Sequence, residues 1–158
     1  MKFRVFTVAA LLLAFPVSHG ADTIRLKVAH NGPIDHPFQV GLEKFRSVLE
    51  QQTSGSATLD IFPNAQLGSE EETSLMVKQG AIACAVESAG GGLAPFVAEA
   101  DLLNLPFLFR DLDHFYDVVD GPTGDGIARK IEENLDVIFL GWWFSGIRNQ
   151  WNNKRPVT

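Results

Sequence analysis

Ile24-Arg-Leu-Lys-Val-Ala-His30, the helical stretch Pro37 to Gln52, and Ala57-Thr-Leu-Asp-Ile-Phe62 together decide the fold. In the first, Ile24, Leu26 and Val28 alternate with charged residues, which is the period of a half-buried strand. Asn31-Gly-Pro33 breaks it. From Pro37, apolar Phe38, Leu42, Phe45 and Leu49 recur at three and four residues, one face of a helix. Thr53-Ser-Gly55 closes that helix and Ala57 to Phe62 reads as a second strand. Strand, helix, strand is a crossover unit, and its strands are expected to run parallel.

The same alternation of elements continues downstream. Ser69-Glu-Glu-Glu72 carries the spacing of a capping box, with Ser69 as N-cap and Glu72 at the third helical position. The helix it opens is expected to end near Lys78, before Gly80. Ile82 to Val86 is continuously apolar, as a buried strand is. Gly90-Gly-Gly92 ends it, read here as flexible backbone. Leu93 to Leu105 is expected to be short, buried, and helical or irregular. Helices follow over Asp113–Asp120 and Thr123–Leu135, and a fourth strand over Val137–Phe144. The order β-α-β-α-β-α-β predicts an α/β fold with a mainly parallel sheet flanked by helices. Ligands in such sheets sit beyond the C-terminal ends of strands. That draws attention to His30-Asn31, Glu87-Ser88, Ser145 to Arg148 and the capped start at Ser69.

Residues 1–20 have the three parts of a secretory signal peptide: basic Lys2 and Arg4, an uncharged run of 13 residues from Val5 to Val17, and small Ser18 and Gly20 before Ala21. Spanning a bilayer takes about 20 apolar residues, so an anchor is the poorer reading. The 138 residues that follow make one domain. The chain has 13 Lys and Arg against 19 Asp and Glu, and the leader takes two of those bases and no acid, leaving net −8. Such acidity disfavours nucleic acid and anionic membrane as partners. An anion would need a local cationic device. Cys84 is the one cysteine, so no internal disulfide is available, and its alanine neighbours suit a buried structural thiol.

Several chemistries lack their residues. The histidines make no His-x-x-x-His pair and no cysteine cluster joins them, so no metal is expected. A capping or surface role suffices for His36. Gly90-Gly-Gly92 has neither phosphate-loop spacing. Ser88 and Ser145 lack a nucleophile elbow.

Phe62-Pro-Asn-Ala-Gln-Leu-Gly-Ser69, Leu105-Pro-Phe-Leu-Phe109, and Leu140-Gly-Trp-Trp-Phe-Ser-Gly-Ile-Arg-Asn149 running on to Pro156 occur in an order and spacing that carry a family. Over about residues 24–157 the chain resembles the solute-binding proteins of tripartite ATP-independent periplasmic (TRAP) transporters, of the dicarboxylate-binding type. The resemblance implies a periplasmic-binding-protein-like receptor of two lobes, monomeric when complete. This chain would hold most of the first lobe and none of the second, with a sheet edge and an apolar face left open. It implies a carboxylate ligand, a C4-dicarboxylate or related organic acid. It also implies delivery to an ion-gradient-driven membrane permease, no cofactor and no chemistry on the ligand.

The resemblance also orders the candidate residues. Arg148 matches the earlier of the family's two site arginines, and it is the cationic device sought above, because a guanidinium donates two parallel hydrogen bonds to a carboxylate. Asn31, Glu70 and Glu87 fall where members place polar contacts. Read alone, Glu70 suits the first turn of a helix, and Glu87 suits a cap or an ion pair. Among Trp142, Trp143 and Phe144, two are expected in the core, and Trp143 or Phe144 on a pocket wall. A periplasmic α/β hydrolase of acidic substrates, or a receptor for an ATP-driven importer, is the alternative reading.

Overall fold

The computed structural model describes residues 23–146. Three strands form one parallel sheet: β1 (Ile24–His30), β2 (Ala57–Phe62) and β3 (Cys84–Val86), in the order β2-β1-β3. β1 pairs with β2 along nearly its whole length, from Ile24 opposite Ala57 to Ala29 opposite Phe62. It pairs with β3 only at its C-terminal end, Val28 to His30 opposite Cys84 to Val86.

The alternation in β1 settles what lies on each side. Val28 (fully buried) packs with Leu42 and Leu59, and Leu26, Ile61, Cys84 and Val86 join on the same side. Leu42 belongs to α1 (Pro37–Gln52), which therefore covers this face. His36 caps α1, its Nδ1 accepting from the Phe38 N–H at 3.2 Å, and Pro37 occupies the first turn, where no donor is missed. At the far end of β1, Arg25 pairs with Asp60 across to β2.

α2 (Glu70–Lys78) starts with the full capping box: the Ser69 hydroxyl accepts from the Glu72 N–H, and the Glu72 carboxylate accepts from the Ser69 N–H at 2.8 Å. That donation holds the Glu72 carboxyl below the usual carboxylate range. After β3 the chain makes one π-helical turn (Ala89–Leu93) and a 3-10 helix (Ala98–Asn104), then α3 (Leu112–Val119) and α4 (Pro122–Leu135). A second core gathers here: Val97 and Ala100 against Ile127, Ile131 and Leu135 of α4.

Two expectations need correction. Residues 137–144 do not form a strand: the chain there is extended and enters no sheet among the described residues. Asp136 turns left-handed at the end of α4 (φ 54°), and Gly141 has φ 147°. Val137, Phe139 and, just past Gly141, Trp142 drop onto the α4 core, and the Phe139 N–H donates to the Glu132 carboxylate at 2.9 Å instead of to a strand. Ile138 and Leu140 are left 81% and 70% exposed. The third strand is also shorter than expected: Cys84–Val86 pairs with β1 as a strand, and Ala83 ahead of it adds only its N–H bond to the Lys27 carbonyl at 3.0 Å.

Apolar side chains are also open over residues 102–116, where Phe107 stands 94% exposed at φ 61°. The signal-peptide residues and Arg148 lie outside the described residues.

Leu42 is 1% exposed at the centre of the sheet–α1 core. Leu42→Ala is expected to cost about 2–5 kcal/mol of folding free energy, read as a lowered midpoint in chemical denaturation.

Candidate functional site

Parallel pairing brings the C-terminal ends of β1, β2 and β3 to one edge, and the loops after β1 and β2 are laced together. The Asn64 N–H donates to the Gly32 carbonyl at 2.9 Å and the Ala65 N–H to the His30 carbonyl at 3.2 Å. The loop that follows β1, carrying exposed Asn31, is thereby tied to the loop that leads into α2. His30 itself is buried: its Nε2 bonds to the Gln39 side-chain oxygen at 2.9 Å, and Gln39 donates onward to Glu43 at 2.9 Å.

Glu70 and Glu87 come together around the turn after β3. The Ser88 hydroxyl donates to Glu70 Oε2 at 2.5 Å and accepts from the Gly91 N–H at 3.0 Å. Glu70 is thus held, half-buried, over the mouth of the turn. Glu87 points the other way: Oε1 lies 2.5 Å from the Thr73 hydroxyl of α2, and Oε2 is buried with no hydrogen-bond partner. Burial pushes its carboxyl up to about 8, and the Glu70 charge adds to that shift; only a Thr73 hydroxyl turned to donate to Glu87 opposes it. The Ser74 hydroxyl donates to the Gly92 carbonyl at 3.2 Å and pins the turn to α2.

Gly90-Gly-Gly92 is not loose backbone, as the sequence reading had it, but the packed core of this turn. A Cβ on Gly92 would sit 2.6 Å from Glu87 Cβ and 2.9 Å from its Oε2; one on Gly91 would strike Glu70 Oε2, and one on Gly90 the Asn104 amide. The glycines are there for close approach. Their φ angles lie outside the left-handed region.

Trp143 lines a groove at the start of α1. Its ring lies against Gly41 of α1, where a Cβ would come 2.8 Å from it, and it remains 44% exposed. With Phe38, Tyr116 and Phe144 it walls that groove, about 250 Å³ in volume. Trp142 packs on Phe139 at 4.8 Å and Phe144 on Phe115 at 5.4 Å between ring centroids. Cys84 is half-buried, its thiol pushed up by burial.

Among the expected site residues the structure therefore unites Glu70 and Glu87, links the Asn31 loop to the start of α2, and sets Trp143 on the α1 side. Sequence reading missed Thr73 and the structural role of Ser88. Thr73 follows Glu70 by three residues, so the two share a helix face, and Ser88 directly follows Glu87. Those spacings were the available signal.

The sequence model of the bacterial extracellular solute-binding proteins, family 7, matches residues 28–158. The 2,3-diketo-L-gulonate-binding periplasmic protein of Escherichia coli is 32% identical, over 99% of this chain and 48% of its own length. A TRAP periplasmic solute-binding protein of Ochrobactrum anthropi superposes with a TM-score of 0.79 at 30% identity, over 87% of this chain and 42% of that one. One from Xanthobacter autotrophicus, solved with β-D-galacturonate bound, superposes with a TM-score of 0.63 at 34% identity, over 69% and 36% of the two chains. The chain spans less than half the length of these proteins. No helix among the described residues is long and apolar enough to cross a membrane.

Gly92→Ala is expected to destabilise the fold by about 1–3 kcal/mol, because the turn has no room for a methyl group. Gly126, within α4, has open space at its Cβ position, and Gly126→Ala is expected to stabilise by about 0.5–1 kcal/mol. Paired urea titrations of the two variants check both signs.

Proposed function

The chain belongs to the bacterial extracellular solute-binding proteins of family 7, and on that premise we propose that it is the first-lobe portion of a periplasmic receptor for a small carboxylate. The observation that carries this reading is the laced edge at the strand ends. Three chain segments that are distant in sequence, around Asn31, Glu70 and Ser88, meet there: Asn31 is exposed and Glu70 is half-buried, held by Ser88. The receptor is exported by cleavage of residues 1–20 and delivers its ligand to a membrane permease driven by an ion gradient. Residues 21–158 form one lobe and a second lobe closes over the ligand, so the ligand favours the closed state.

Arg148 supplies the cation to the ligand carboxylate in this reading. It follows the extended segment that ends at Gly146, two residues away along the chain. Asn31 and Glu70 take the ligand's hydroxyl or further polar groups, and Trp143 offers an apolar wall. Glu87 stands behind Glu70 and takes part through the turn. The ligand is a C4-dicarboxylate or a related organic acid; sugar acids join the class because relatives are named for 2,3-diketo-L-gulonate and were solved with galacturonate. Among the described residues a hydrolase reading has only the Ser88 hydroxyl on the Glu70 carboxylate at this edge, and His30 is turned to Gln39.

The test is thermal unfolding of the complete two-lobed receptor with uronates, aldonates and C4-dicarboxylates. A ligand at 100 times Kd adds about 2.7 kcal/mol to stability. The expected outcome is a raised Tm with one class, the compound recovered unchanged, and the shift lost in Arg148→Ala. No shift with any carboxylate, or consumption of the compound, overturns the receptor reading.

A further inference from the structure

Thr73 presents a problem of hydrogen counting. Its hydroxyl oxygen lies 2.9 Å from the Ser69 carbonyl, 3.1 Å from the Glu70 carbonyl and 2.5 Å from Glu87 Oε1. All three neighbours accept, and a threonine hydroxyl has one proton. On a helix that proton goes to the carbonyl one turn back, here Ser69. The short contact to Glu87 then needs a proton of its own, and Glu87 is the group that can bring one. The surroundings agree. Glu87 Oε2 is buried against Gly92 without a partner, tolerable for the C=O of a neutral acid and costly for a carboxylate. The ion pairs among the described residues lie elsewhere, at Arg25–Asp60, Arg46–Glu43 and Lys130–Glu99.

We infer that Glu87 is a proton-carrying positioning residue: as a neutral acid it donates to Thr73 and clamps the Ser88–Leu93 turn against α2, and on losing the proton it releases the turn that holds Glu70. The titratable groups that face it are Glu70 from α2 and Cys84 from β3, with Asp101 of the 3-10 helix beyond the turn at Gly90. Each of these is acidic or neutral, so none steadies a charge on Glu87. The turn touches both acids at once, Glu70 through Ser88 and Gly91, Glu87 through Gly92. Ionising the inner acid therefore acts on the outer one through the shared turn.

The linkage has a definite sign. A carboxyl raised from 4.5 to about 8 by folding contributes stability that is full below 4.5 and is lost as pH climbs to about 8. Binding follows the protonated form, so the apparent Kd rises as the fraction of protonated Glu87 falls. The inference rests on the receptor reading above, since it concerns how that site is held.

The experiment is isothermal titration of the complete receptor with the carboxylate that binds it best, from about pH 6 to about pH 9, on the wild type and Glu87→Gln. Glutamine keeps the shape and can donate to Thr73 through its amide, but cannot ionise. The expected result is a Kd that weakens about tenfold between pH 7 and pH 9 in the wild type and does not change with pH in Glu87→Gln. The same pH dependence in both proteins, or binding already lost in Glu87→Gln at about pH 6 while it remains folded, overturns the inference. Should Glu87→Gln fail to fold, the ¹³C shift of the Glu87 carboxyl in the wild type decides: titration near 8 supports the clamp, and titration in the ordinary carboxylate range overturns it. Failure of the wild type to bind any carboxylate at any pH refutes the receptor reading instead, and the carboxyl titration still judges the clamp.

Discussion

Everything in this molecule depends on β1 having a parallel partner on each side. Two parallel neighbours put the C-terminal ends of β1 and β3 at one edge, with the loop after β2 laced to the end of β1. Parallel strands also require helical crossovers, so α1 and α2 follow from the same constraint. The start of α2, with its three consecutive acids, is delivered to that edge by the connection from β2. The edge holds polar groups from distant parts of the chain because the topology leaves them nowhere else to go.

Around the turn after β3 the two acids have opposite fates within one small volume. Glu70 has a hydroxyl donor in Ser88 and keeps some exposure. Glu87 has a hydroxyl already engaged by the helix backbone, a buried second oxygen and no cation among the described residues. Environment separates their chemistry, as it does wherever paired carboxyls take different roles. The triple glycine makes that arrangement possible by letting both side chains approach the backbone of the turn.

How much of this was legible in the sequence varied with the range of the physics. Local signals read true: the alternation from Ile24 to His30, the helix Pro37–Gln52 and the capping box at Ser69 all stand where periodicity and caps put them. Signals that depend on partners did not. Val137–Phe144 has strand-forming residues but pairs with no strand among the described residues, and it packs on α4 instead. Gly90-Gly-Gly92 looked flexible because nothing in the sequence says that Glu70, Glu87 and Asn104 crowd it. The pairing of Glu70 with Glu87 through Ser88 was hidden for the same reason, although both acids were singled out. Arg148 lies outside the described residues, so its place in the site is an expectation from the family pattern.

The central claim is that a small carboxylate binds at the laced edge formed by the β1 end, the start of α2 and the turn after β3. A crystal structure of the complete receptor with its tightest-binding organic acid tests this most directly. The account predicts the ligand at that edge, its carboxylate on Arg148 and its other polar groups within hydrogen-bond reach of Asn31 and Glu70. A ligand seated elsewhere on this lobe, with that edge left to solvent, would contradict it.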